Sequence, residues 1–120
     1  MNEEFWREDL QSAIQNLTQA ASENLSSEIV QDAFIKRFEL AYELSWKWLQ
    51  ARLHSEGIIA RSPRQVFKES IKLGFIDKEF LWLEMIETRN TLVHTYNAVK
   101  ARLLASKIKT NYLPLLELLL

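Results

Sequence analysis

Apolar residues recur every three or four positions along most of this chain, the spacing that lays one face of a helix against a core. From Glu3 to about Ala21 the stripe is Phe5, Trp6, Leu10, Ala13, Ile14 and Leu17. Glu3 and Glu4 fall in the first turn, where negative charge suits the helix dipole. A polar break at 22–26 follows, and Ser27 is placed to cap the next helix, although the acidic residue of a capping box is missing. That helix is predicted over roughly Glu28 to Ser55 and carries two stripes. One runs through Phe34, Phe38, Ala41, Ser45, Trp48 and Arg52, the other through Ile35, Tyr42, Trp46, Leu49 and Leu53. Together they exceed the roughly 100° arc of a single core contact. The helix is therefore expected at the centre of the fold, or shared between a core and a subunit interface, with Gly57 ending it.

Ser62-Pro63 reads as an N-cap followed by proline at the first helical position. The short helix it opens should bury Val66, Phe67, Ser70 and Ile71 and stop at Gly74. Asp77 is expected to cap a fourth helix, in which Phe80, Leu81, Leu83 and Met85 or Ile86 lead into a polar segment. Asn97 is expected to cap a fifth, with Leu104, Ile108, Tyr112 and Leu115 or Leu116 facing inward and Pro114 bending or breaking it. No strand pattern and no repeat is present. Short connections favour antiparallel neighbours, so residues 1–120 are predicted to form a single all-α domain, an up-and-down antiparallel bundle of about five helices.

Composition narrows the function classes. The chain has 120 residues, 48% hydrophobic and 26% charged, enough to bury a core without staples. The absence of cysteine excludes disulfides, thiolate metal sites and thiol nucleophiles. A formal charge of -1 and a pI near 6.1 argue against a bulk electrostatic nucleic-acid binder, so any RNA contact has to be local. There is no 18-residue apolar run, and Met1-Asn2-Glu3-Glu4 lacks the basic-then-apolar start of a signal peptide. No membrane association and a cytoplasmic location are the expectations.

The chemistry concentrates in Arg89-Asn90-Thr91-Leu92-Val93-His94-Thr95-Tyr96. A permanent cation, one of only two histidines and a phenol lie within eight residues, and an apolar helix needs none of them to pack. Asn90 and Thr91 compete for backbone hydrogen bonds and are expected to interrupt the helix. The segment is either a site or a helix end, with Arg89 extending to solvent and His94 in a satisfied position. On an unbroken helix, residues five apart point about 140° from each other. Arg89 and His94 then converge only if the helix breaks near Asn90-Thr91 or if a second copy completes the pair. Arg89 and Tyr96, seven apart, share a face.

Other groups carry less. Arg61, Arg64, Lys68 and Lys72 align on one face of the third helix and read either as a phosphate track or as a solvated surface. Glu39 and Glu43, with Lys36 and Lys47, form i,i+3 and i,i+4 pairs on a solvated or interface face. Neither acid has a histidine or further acid at ligand spacing, so no metal site is expected, and no phosphate-cradling glycine loop suggests a cofactor. His54, at a helix end where a cation suits the dipole, reads as structural.

Several of these segments occur together in a fixed order: 38–47 (Phe-Glu-Leu-Ala-Tyr-Glu-Leu-Ser-Trp-Lys), Gly57, Ser62-Pro63-Arg64, Gly74-Phe75-Ile76-Asp77, Trp82-Leu83-Glu84-Met85 and Arg89-Asn90 with His94-Thr95-Tyr96. From about residue 28 to the end the chain closely resembles the nucleotidyltransferase substrate-binding family, the HepT-like branch of the HEPN superfamily. The first helix fits that fold without a distinctive motif. The resemblance implies a HEPN-like bundle that forms a homodimer with its motif near the interface. It also implies a minimal nucleotidyltransferase (MNT) as partner, in a toxin–antitoxin-like pair that binds RNA or a nucleotide. Relatives with the Arg-x4-His-x-Tyr motif are often metal-independent ribonucleases, which makes Arg89 and His94 catalytic candidates. The same resemblance marks Tyr96 as a target of adenylylation by the partner. Asn90, Arg64 and Lys68 are the accompanying binding candidates. Three readings follow: a substrate-binding subunit, a ribonuclease toxin that the partner neutralises, and a non-catalytic dimeric scaffold.

Overall fold

The computed structural model describes residues 3–94 and 97–120. Their order is α1 (Glu3–Ala21), α2 (Glu28–Ser55), α3 (Pro63–Lys72), α4 (Glu79–Leu92) and α5 (Ala98–Lys107), which runs through a π-helical segment (Ile108–Tyr112) into α6 (Leu113–Glu117). The last three join without interruption into one rod, so the fold is the expected all-α bundle of five helical rods, with no strand among the described residues.

The caps explain most of the boundaries. Ser27 accepts a hydrogen bond from the Val30 N–H and Ser62 from the Gln65 N–H, with Pro63 opening α3. Asn97 accepts from the N–H groups of both Val99 and Lys100. Gly57 and Gly74 follow their helices with φ of 81° and 75°, a conformation that suits glycine. The expected Asp77 cap is not found. Lys78 is the N-cap, with φ 60°, and its side chain accepts no capping bond. Asp77 therefore stands one residue too early to reach the orphan N–H groups of α4.

The core joins all the rods. Phe38 stacks on Tyr112 with ring centroids 6.0 Å apart, Tyr42 meets Phe67 edge-on, and Phe67 packs on Trp82. This aromatic chain links α2, α3, α4 and the π segment, with α2 central as expected. Leu10, Ala13, Ile14 and Leu17 bury the inner face of α1, whereas Phe5 is exposed. The inward face of α4 is Trp82, Met85, Ile86, Thr88 and Leu92, not Phe80, which lies 74% exposed. Taking Trp82 as the anchor makes 82, 85, 86 and 92 one stripe, and Phe80 falls outside it. Pro114 neither breaks nor ends the last rod. It lacks an N–H and crowds the preceding turn, and the wider π turn directly before it relieves both. Ile108, Tyr112, Leu115 and Leu116 all stay inward. No helix among the described residues is long and apolar enough to cross a membrane.

Candidate functional site

The polar segment after Glu87 does not interrupt α4, which continues through Asn90 and Thr91 to Leu92. Thr91 stays helical by turning its hydroxyl back onto the Glu87 carbonyl at 2.9 Å. The break comes later than the sequence suggests, at Val93 and His94. Arg89 thus stands in the last turn, and His94 in the turn beyond, where its N–H donates to the Thr91 carbonyl at 3.0 Å. His94 and Asn90 are exposed. A cation in the last turn is favoured by the helix dipole. Thr95 and Tyr96, including the modification expected on Tyr96, lie outside the described residues.

Arg89 meets α2. Its Nη2 lies 3.7 Å from Glu43 Oε1, with each side chain about one-third exposed (31% and 36%). Arg89 Nε is buried and finds no acceptor among the described residues. The other oxygen of Glu43 accepts a hydrogen bond from the Trp46 indole N–H at 3.2 Å. Two residues earlier on α4, and so on a different side of the helix, Glu87 holds Arg64 of α3 at 3.3 Å. Tyr42 is buried beside these charges. Burial first, then Glu43, pushes its hydroxyl up from 10.0 to about 12, with Glu87 adding to the rise and Arg89 opposing it.

The basic stripe on α3 is exposed, but it is not a row of free cations. Arg64 is tied to Glu87 and Lys72 to Glu69, while Lys68 is exposed beside them. Among the sequence candidates, the fold brings Arg89, Asn90 and His94 to one helix end and links Arg64 to the same helix through Glu87. Lys68 belongs to the outer face of α3. His54 lines a separate pocket of about 240 Å³ with Trp6, Lys47 and Gln50. A cleft of about 180 Å³, walled by Asp32, Ile35, Lys36, Glu39, Leu92 and Ala101, opens near the end of α4.

Two acidic residues are not readable from the sequence as members of this region. Helical spacing pairs Glu43 with Lys47, yet Lys47 sits over the Trp6 ring at 5.5 Å and Glu43 serves Arg89. Glu84 anchors a polar chain: Tyr112 OH donates to it at 2.9 Å and meets the Thr88 hydroxyl at 2.7 Å, while Lys107 lies 3.5 Å from its other oxygen. The spacing of Glu84 and Thr88, one helical turn apart on α4, is the signal that could have found it. Among the described residues no group of three or more potential ligands is placed to hold a metal.

A family model described as nucleotidyltransferase substrate binding protein like matches residues 7–120. The chain belongs to this family. The match takes in almost all of α1, so the first helix, which offers no motif of its own, is part of the family fold. A curated relative, the probable ribonuclease HepT of Haemophilus influenzae, is 29% identical over 94 residues, covering 71% of this chain. That match spans 64% of the relative, under two thirds of its length. A crystal structure from Thermus thermophilus superposes with a TM-score of 0.84 at 33% identity, covering 92% of this chain and 94% of that one.

Proposed function

We propose that this chain is a HEPN-type substrate- or nucleotide-binding subunit that pairs with a minimal nucleotidyltransferase in a toxin–antitoxin-like module. It acts as a homodimer, through the exposed end of α4. The observation that carries the reading is the placement of Arg89 in the last turn of α4 and His94 just beyond it, both accessible to solvent. Arginine offers a forked cation for phosphate oxygens, and histidine exchanges a proton near neutral pH. The family description supplies the class of partner. Val93 within the motif and Val99 and Leu103 on the helix that follows it are all at least half exposed, and in this reading they supply apolar surface for a two-fold contact. Residues 1–120 act as one domain in this reading, Asn90 adds a polar contact, and Arg64 and Lys68 extend the charge onto α3.

The pairing is tested by co-expressing the chain with a minimal nucleotidyltransferase and sizing the product. A stable complex is expected; two species that never co-elute would contradict the proposal.

A second reading, a metal-independent ribonuclease, is favoured by the description of the Haemophilus influenzae relative as a probable ribonuclease. In it the RNA 2′-hydroxyl attacks the adjacent phosphorus and the 5′-oxygen leaves. His94 of one protomer accepts the proton, His94 of its partner supplies one to the leaving oxygen, and Arg89 stabilises the phosphorane. Adenylylation of Tyr96, two residues after His94 in the sequence, would add negative charge that repels RNA. Incubation of the purified protein with mixed RNA in EDTA separates the readings. Cleavage that Arg89→Ala and His94→Ala both abolish makes the protein a ribonuclease, and no cleavage above those variants leaves the binding subunit.

A further inference from the structure

We propose that Glu43 is a positioning residue for Arg89, and that its carboxylate, steadied by Trp46, sets the direction in which the guanidinium meets a phosphodiester of single-stranded RNA. The inference rests on the reading of Arg89 as a phosphate contact.

Three observations carry it. Arginine has a long side chain whose rotamer freedom must be restrained before a fixed contact is made. Here the restraint comes from outside its own helix, because Glu43 belongs to α2 and Arg89 to α4. The carboxylate is itself fixed: the Trp46 indole, three residues along the same helix, holds Oε2 at 3.2 Å and leaves Oε1 toward Arg89. Finally, the 3.7 Å separation is an ion pair longer than a hydrogen bond. Glu43 therefore orients the guanidinium without consuming the donors that a phosphate would take. With both partners about one-third exposed, solvent screens the pair and its contribution to stability is modest.

The sign of the effect separates positioning from simple charge. A carboxylate that acted only through its field would weaken anion binding, and removing it would tighten the complex. A positioning carboxylate predicts the reverse. The probe is a mixed-sequence single-stranded 2′-O-methyl RNA, which lacks the attacking hydroxyl, titrated into the full-length protein by fluorescence anisotropy. The Arg89 Nε–Hε resonance is followed alongside by NMR. Glu43→Ala is expected to weaken binding about tenfold, toward the level of Arg89→Ala, and to shift or broaden the resonance. Glu43→Gln, which keeps an oxygen acceptor at the same reach, should recover part of the loss. Trp46→Phe, which removes only the steadying N–H, should weaken binding about threefold without reaching the Glu43→Ala level. Unchanged or tighter binding by Glu43→Ala, with Arg89→Ala still impaired, overturns the role of Glu43 alone. Wild-type binding by Arg89→Ala overturns the phosphate contact and this inference with it.

Discussion

Tyr112 shows how a single hydroxyl ties the helix that carries the candidate site to the rest of the bundle. It sits fully buried in the π segment, donates to Glu84 and meets Thr88, and both of those residues precede Arg89 on α4. Tyr112→Phe leaves the buried Thr88 hydroxyl and one Glu84 oxygen without that partner. It is expected to lower unfolding stability by about 1–3 kcal/mol in urea titrations, with the helix content unchanged. Tyr42 makes a pH-dependent contribution. Its hydroxyl titrates at about 12 in the fold against an ordinary 10.0, so the folded state holds the proton more tightly. That stabilisation is whole below pH 10 and is lost as pH rises toward 12. Tyr42→Phe should therefore flatten the alkaline fall in stability over that window. Tyr112, pushed up chiefly by burial, acts in the same direction, and the Tyr42→Phe/Tyr112→Phe double variant should flatten it further. At this scale the sequence displays Arg89 and His94 openly, because no apolar helix needs them. Glu43 is hidden in it, because its partner Arg89 lies on another helix and helical spacing speaks only of neighbours along the same one. For Glu84 only Thr88, one turn on, gives a hint.

The helices are more legible than their partners. Ser27, Ser62-Pro63, Gly57 and Asn97 act where cap chemistry puts them, since a cap needs only its own side chain and the next few N–H groups. Asn97→Ala should cost about 1 kcal/mol of stability, and Asn97→Ser or Asn97→Asp should restore most of it, as read by thermal or urea unfolding. The start of α4 departs from its local signal. Asp77 has the right chemistry, but the buried Trp82 sets where the helix begins its inward face, and Lys78 takes the cap with a left-handed backbone. The delayed break after Arg89 has a comparable cause: the Thr91 hydroxyl satisfies the Glu87 carbonyl, and Leu92 gains burial by staying helical. Pro114 illustrates a third case, in which a tertiary demand for an inward Tyr112 selects a π turn over a break.

At the scale of the whole molecule, the bundle leaves its candidate chemistry at one helix end, and Val93, Val99 and Leu103 are exposed on that turn and on the helix that follows in the chain. In the proposed homodimer this surface brings two Arg89 and two His94 to one groove. Val99 and Leu103 lie one turn apart on α5, so a charge there should oppose association without touching the core. Leu103→Glu is expected to shift the protein from dimer to monomer in light scattering and to reduce RNA binding at least tenfold, with its helix content unchanged and its unfolding midpoint no longer dependent on protein concentration. Antiparallel packing and the all-α class are readable from periodicity and short connections alone. The site is readable only as residues, because its geometry depends on where α4 ends and on what α2 places opposite it.

The most direct test of the central claim is the affinity of the intact protein for single-stranded 2′-O-methyl RNA in EDTA, compared with Arg89→Ala and His94→Ala at matched oligomeric state. The account predicts at least tenfold weaker binding for Arg89→Ala and a smaller loss for His94→Ala, with both effects shrinking as salt rises. Equal affinity for all three proteins, each folded and of the same size, would contradict the proposed role of Arg89 at the α4 end as a phosphate contact.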